Sequence, residues 1–276
     1  MENIPNYQKL DQQEIEESCD VSVISISQAT TAIFTDLYFQ HTFLFFIQVG
    51  SKRVICPLNG ELVANVDDVI IFPPGAMVTL ENRTVLNKNY RAIGVCFPKD
   101  MIKGVFSEPT SHTKPIGIQV VTECGDQSPQ ILQTIQATLE DTELPEPIKQ
   151  HRLLEPLIWL KHNGIHLSID EEEKPLSKVR RLIETDLSHS WRRKEVAEHF
   201  AISESTMRRW LAKSGQSFSK ILQQTRLQHG LCLLQSTDIP ISDIALECGF
   251  KTPSHFSDSF KKRFSIQPSE IRKLED

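Results

Sequence analysis

The chain has 276 residues, 39% of them apolar and 24% charged, which is ordinary globular composition and enough length for about two domains. Eleven Gly and fifteen Pro exclude a collagen-like or proline-rich disordered chain, and no apolar run reaches the roughly 18 residues of a membrane span. The net charge of −6 hides a division: residues 1–173 hold 12 Lys and Arg against 24 Asp and Glu, whereas residues 174–276 hold 18 against 12, so a polyanionic partner is excluded from the first part but not from the second.

Met1 to Asp20 is acidic and polar, with no basic start leading into an apolar stretch. It is read as no secretory signal, and the expected location is cytoplasmic with no membrane partner. Val21-Ser22-Val23 and Ser25-Ile26-Ser27 then alternate as a half-buried strand does. Short apolar runs follow at Thr42 to Val49, Arg53 to Pro57, Glu61 to Val66, Val69 to Phe72, Ala76 to Leu80 and Tyr90 to Phe97. Turn clusters such as Asn59-Gly60 and Pro73-Pro74-Gly75 separate them. Many short strands between turns predict an antiparallel jelly roll or cupin-like barrel over 21–100.

The period changes after that. Ile131, Leu132, Ile135 and Leu139 share one helical face, and Leu153, Leu154, Leu157 and Ile158 another, with Pro156 expected to bend the second helix or sit in its early turn. These helices, within 128–162, are read as covering the barrel and as a surface for a second copy of the chain. Asn163-Gly164 and the run Asp170 to Pro175 break all periodicity, so residues 166–176 are read as a linker between a sensing domain, 1–165, and a C-terminal domain, 177–276. The fold class is therefore α+β.

From Ser177 onward the sequence is helical. Two helix–break–helix units lie about 50 residues apart. In the first, Arg193 to Phe200 precedes a break at Ala201-Ile202-Ser203 and a helix from Ser203, whose hydroxyl suits an N-cap. In the second, Ile241 to Cys248 ends at Gly249, where a left-handed residue is wanted, and a new helix starts with Thr252 as cap and Pro253 at the first helical position. Met207, Trp210, Leu211, Phe256 and Phe260 are expected to face inward. That leaves Glu204, Ser205, Thr206, Arg208 and Arg209 outward on the first helix, and Ser254, His255, Ser257 and Asp258 on the second. Arg can fork onto guanine and small hydroxyls permit close approach, so such faces fit a major groove. Arg192, Arg193, Lys194, Lys251, Lys261, Lys262 and Arg263 cluster by charge and are read as phosphate contacts.

The stretch from Trp191 to Arg272 resembles the DNA-binding domain of the AraC/XylS transcription regulators. The matching positions include Trp191, Val196-Ala197, Ile202-Ser203 and Arg209, then Gly215, Ser217-Phe218 and Arg226-Leu227. The pattern is fullest at Ile244-Ala245, Cys248-Gly249-Phe250, Ser254-His255-Phe256-Ser257, Phe260-Lys261-Lys262, Pro268-Ser269 and Arg272. Departures are Asp258, where many relatives place a basic residue, Ser265 for a frequent Gly, and Gly230 for a frequent Ala. The resemblance implies a sequence-specific regulator of transcription, an activator, with double-stranded promoter DNA and RNA polymerase as partners.

The acidic part is compatible with the sensing domain of such regulators, whose effector is a small molecule or a protein. Phe43 and Phe45 would line a pocket there, with Lys52 and Arg53 holding an anionic head group. The alternative reading makes the barrel the main working part, as a ligand- or protein-binding module with weak DNA binding. No two of the six cysteines stand closer than 16 positions, so no thiolate zinc site is expected. No cofactor or metal is expected, and no catalytic motif suggests an enzyme.

Overall fold

A computed structural model describes residues 21–106, 117–122, 127–167 and 174–272. Among these residues nine strands form two antiparallel sheets. They are β1 (Ser22–Gln28), β2 (Ala32–Phe39), β3 (Thr42–Val49), β4 (Ser51–Cys56), β5 (Gly60–Ala64), β6 (Val69–Phe72), β7 (Ala76–Arg83), β8 (Tyr90–Phe97) and, after helix α1 (Lys99–Phe106), β9 (Gln119–Val121). One sheet runs β1-β8-β3-β6-β9 and the other β2-β7-β4-β5. Leaving β9 aside, that order is a jelly roll, in which two Greek keys fold strands alternately into facing sheets. The interior is aromatic: Phe39 stacks on Phe72 at 4.1 Å, and Phe43 lies parallel to Phe45 at 5.8 Å.

Helices α2 (Gln127–Glu140) and α3 (Glu146–His162) close the outer face of the five-stranded sheet. Leu132, Ile135, Leu153, Leu157 and Leu160 join Leu44, Phe46, Val69 and Ile71 there in one buried cluster. Pro156 lies within α3 and is itself buried, while Ile158, expected on the apolar face, is 53% exposed. Leu167, at the start of the expected linker, packs into this same cluster. Residues 168–173, which hold its acidic run, lie outside the described residues, as do Cys19 and Cys124. Cys56, Cys232 and Cys248 are free thiols.

The C-terminal part is helical: α4 (Pro175–Thr185), α5 (Arg193–His199), α6 (Glu204–Ala212), α7 (Phe218–Ser236), α8 (Ile241–Glu247), α9 (Pro253–Phe264) and α10 (Pro268–Ile271). The first helix pair has its own core of Val179, Ile183, Val196, Ala197, Met207, Leu211 and Ile221. The second pair does not. Its Phe256, Phe260 and Phe264 belong to one cluster with barrel residues Phe34, Val78 and Leu80, and the Phe34 and Phe264 rings meet edge to face at 5.4 Å. The connecting helix α7 and the last turn of α9 are thus seated on β1 and β2.

Polar bonds fix that seat. β2 is an edge strand, and an edge leaves backbone groups unpaired. The Gln228 amide satisfies two of them: Tyr38 donates its N–H to Oε1 at 2.9 Å and accepts from Nε2 at 2.6 Å. Arg263 donates to the Asp36 carbonyl at 3.1 Å and to that of Gln224 at 2.7 Å. Arg180, 1% exposed, lies 4.7 Å from the centre of the Tyr38 ring. Further along, the Ala29 N–H donates to the Ile271 carbonyl at 2.9 Å.

Candidate nucleic-acid interface

The two helix–turn–helix units are built by the same local rules. In each, the first helix ends in a paired turn that satisfies orphan carbonyls. Ile202 N–H bonds the Ala197 carbonyl at 3.0 Å and Ala201 N–H that of Glu198 at 3.0 Å; Phe250 and Gly249 repeat the pattern onto Ala245 and Leu246 at 2.9 and 2.8 Å. The residue in the left-handed conformation is Ala201 in one unit, with φ 52°, and Gly249 in the other, with φ 73°. A Cβ on Gly249 would stand 2.3 Å from the Leu187 carbonyl oxygen, so side-chain-free backbone is required there on two grounds.

The second helix of each unit then starts on its cap. Ser203 Oγ accepts from the Thr206 N–H at 3.1 Å, and Thr252 Oγ1 from the His255 N–H at 3.2 Å, with Pro253 opening the helix. Met207 and Leu211 anchor α6, and Phe256 and Phe260 anchor α9. The outward faces are as the periodicity predicts. Glu204, Ser205, Arg208, Arg209, Ser254, His255 and Asp258 are exposed, and Thr206 and Ser257 are half-buried. Arg209 reaches Thr206 Oγ1 at 3.3 Å, which aligns its guanidinium along the helix.

Arg192, Arg193, Lys194, Lys251, Lys261 and Lys262 are all exposed. Arg263 departs from the expected phosphate set: it turns inward and is spent on the Asp36 and Gln224 carbonyls. It stands just before the αL cap Ser265, on the side of α9 that meets β2. Two other arginines of the sequence pattern are structural. Arg226 bonds the Leu187 and His189 carbonyls at 2.9 and 2.7 Å. Arg272 bonds the Leu233, Leu234 and Ile239 carbonyls, which ties down the C-terminus of α7.

In the barrel the expected pocket residues separate. Lys52 and Arg53 are neighbours on one strand, so they face opposite sides of the sheet. Arg53 lies outside, bidentate on Glu61 at 2.7 Å and 3.6 Å from Glu81, and does not join Lys52. Lys52 lies inside, 2% exposed, its ammonium 4.9 Å from the Phe45 ring centre and 5.2 Å from that of Tyr90. Its hydrogen-bond partner is Asn82 Oδ1, at 2.6 Å. Burial lowers its pKa from 10.5 to about 7. The Tyr90 hydroxyl, equally buried, has no hydrogen-bond partner among the described residues. Among the polar groups that the interior hides are thus an amine and an unsatisfied phenol, a pair suited to an anion.

Comparison with known proteins decides the kind of domain. Residues 196–274 match a family described as "Helix-turn-helix domain". The C-terminal part of the chain therefore carries a match to a helix-turn-helix domain. Over 116 residues the chain is 32% identical to the HTH-type transcriptional regulator YdeO of Shigella flexneri, covering 42% of this chain and 43% of that protein. Over 91 residues it is 40% identical to the transcriptional regulator SirC of Salmonella typhimurium, covering 33% of this chain and 31% of that one. These matches span less than half of either relative. The whole architecture, barrel included, is shared with an apo variant of ToxT from Vibrio cholerae, at TM-score 0.63 and 16% identity over 91% of this chain and 95% of that one. The unsaturated fatty acid-bound form of ToxT aligns with TM-score 0.61 and 16% identity, over 91% of this chain and 93% of that one. At that identity the likeness establishes a common fold. Within it, the helix-turn-helix part of this chain keeps the outer faces of α6 and α9 open to solvent.

Among the described residues no group of three or more His, Cys, Asp and Glu is placed to hold a metal ion, and no helix is long and apolar enough to cross a membrane. Sequence reasoning missed residues that join the two parts, among them Gln28, Asp36, Tyr38, Gln228 and Gln235. Apart from the lone aromatic they are polar residues in or beside strands and a helix, which no periodicity singles out.

Proposed function

We propose that this chain is a sequence-specific transcription regulator, an activator acting in the cytoplasm, that binds double-stranded promoter DNA through α6 and α9 and works with RNA polymerase. The observation that carries this reading is the pair of similarly capped units in the basic part of the chain, each presenting an exposed helix face of Ser, Thr, Arg and His. Such faces suit base edges, while Arg192, Arg193, Lys194, Lys251, Lys261 and Lys262 suit the flanking phosphates. The 1–165 part senses an effector. A small molecule with an apolar body and an anionic head group fits best, because Lys52 and Tyr90 present a cation and a free hydroxyl among Phe39, Phe43, Phe45 and Phe72. The fatty acid bound in ToxT is a molecule of that chemistry.

A second copy of the chain fits α3. Its outer face carries Ile148 and Ile158, 47% and 53% exposed, on either side of the exposed His151, Arg152 and Glu155. In an antiparallel pair each Ile148 meets the other copy's Ile158, and the bases meet Glu155. The deciding experiment for DNA recognition is a fluorescence-anisotropy titration of the full chain against its own upstream DNA and a shuffled duplex at several salt concentrations. Affinity for the true site should exceed that for the shuffled duplex by about 10³-fold or more and fall steeply with salt. Equal affinity for both duplexes would leave the barrel as the working part. For the effector, dodecanoate should add one equivalent to the chain in native mass spectrometry, and Lys52→Met should abolish the adduct.

A further inference from the structure

A continuous line of hydrogen bonds leaves the barrel interior at Lys52 and ends on the DNA-binding part. Lys52 Nζ donates to Asn82 Oδ1 at 2.6 Å, and Asn82 Nδ2 donates to Gln28 Oε1 at 3.0 Å. The same Gln28 oxygen accepts from Gln235 Nε2 of α7 at 2.7 Å. The other end of the Gln28 amide donates to the Thr30 carbonyl at 2.6 Å, beside the Ala29 N–H that bonds Ile271. Lys52, Asn82 and Gln28 are 2%, 2% and 0% exposed, so water does not stand in for a lost partner and each amide is held in one orientation by its neighbours.

We propose that Asn82, Gln28 and Gln235 transmit the state of the Lys52 ammonium to α7, so that a head group drawing that ammonium away from Asn82 loosens the seat of the DNA-binding part on the barrel. This rests on the reading of Lys52 as the effector's anchor. The three amides are positioning residues and touch neither effector nor DNA. The physics is reciprocal: an effector that weakens the seat binds more tightly once the seat is already weak. The location of the line matters as much as its length. α7 joins the two helix–turn–helix units, and the second unit shares its core with the barrel while the first does not. Release of α7 at Gln235 therefore changes the position of the second unit relative to the first, which is what simultaneous insertion into two grooves depends on.

A double-mutant cycle on the full chain without ligand tests the line itself, read by amide hydrogen exchange at Ala29, whose bond crosses between the two parts. Lys52→Met should speed exchange at Ala29 about tenfold in the native background. In a Gln235→Ala background the same change should speed it less than about threefold, since interacting sites are non-additive. Exchange at Val54 and Ile70 reports whether the barrel stays folded. Asn82→Ala enters the line one residue later and serves if Lys52→Met disturbs those amides. Equal effects in both backgrounds overturn the proposal. Because no ligand is present, this failure is distinct from failure of dodecanoate to bind, which would remove the effector reading alone. If dodecanoate binds and Ala29 exchange stays unchanged, the transmission is likewise overturned.

Discussion

At position 230 the chain carries Gly in the middle of a long helix, a choice that costs about 1 kcal/mol of helix propensity relative to Ala. The packing explains it: a Cβ there would stand 2.7 and 2.9 Å from ring carbons of Phe256, which is fully buried. Gly230→Ala should therefore destabilise the C-terminal part, because overpacking costs about 1–3 kcal/mol and outweighs the helical gain. Ser265 is the opposite case. It caps α9 with φ 60°, a left-handed conformation that suits Gly. Ser265→Gly should raise stability by about 0.5–1 kcal/mol, the steric relief of about 1–2 kcal/mol less the entropy of a freer unfolded chain. Urea denaturation followed by tryptophan fluorescence separates the two, and a stabilising Gly230→Ala would show that Phe256 yields. Of these positions the sequence displays the oddity but not its cause, since the cause is a ring 26 positions away.

Among the elements, α6 and α9 are most nearly determined by their own residues. Caps, break residues and inward anchors all lie within a few positions of one another, so the spacing alone places the starts of both helices, at Glu204 and Pro253, to within a residue. Different roles on these helices predict different losses. Arg209→Ala should weaken DNA binding by about 1–3 kcal/mol and relax preference at one base pair, whereas Lys262→Ala should weaken all sequences alike and shallow the salt dependence by about one counterion. Anisotropy titrations against a set of single-base variants of the site distinguish these. Uniform weakening by Arg209→Ala would reassign that residue to the phosphates. Two elements were less legible. β2 is broken by Asp36, whose φ is 52° and beside which the register with β7 shifts between Phe34 and Leu37, so its alternation is interrupted. α7 buries Leu227, Leu231 and Leu234 as well as Ile221 and Thr225. Ile221 faces the core of the first unit, whereas Leu227, Leu231 and Leu234 join the cluster shared by the barrel and the second unit, so no single stripe describes the helix.

For the whole molecule, the two parts were visible as a change of charge and period, but their fusion was not. A contact between residues some 200 positions apart, such as Gln28 and Gln235, leaves no mark on local pattern. The buried amine of Lys52 shares that fate, since Lys on a strand reads as surface until the facing residues are known. Its burial has a consequence for the intact protein. The folded-state pKa is lowered to about 7 from the ordinary 10.5, with desolvation as the cause. Between those values the unfolded chain holds a proton that the folded chain has released, so stability rises with pH across that window. The slope is up to roughly 1.4 kcal/mol per pH unit, and below the folded pKa the full cost of the buried cation remains. In Lys52→Met this contribution is gone. The stability of the variant relative to the native chain should therefore be most favourable near about pH 6 and decline steadily towards about pH 10, as the native amine becomes free to shed its charge. Taking the difference between the two chains cancels every other titrating group they share. Urea midpoints measured at intervals across that range check it, and a difference that stays flat would mean that the amine reaches water or an anion that keeps it charged, in which case Lys52 has no unmet demand for an acidic ligand.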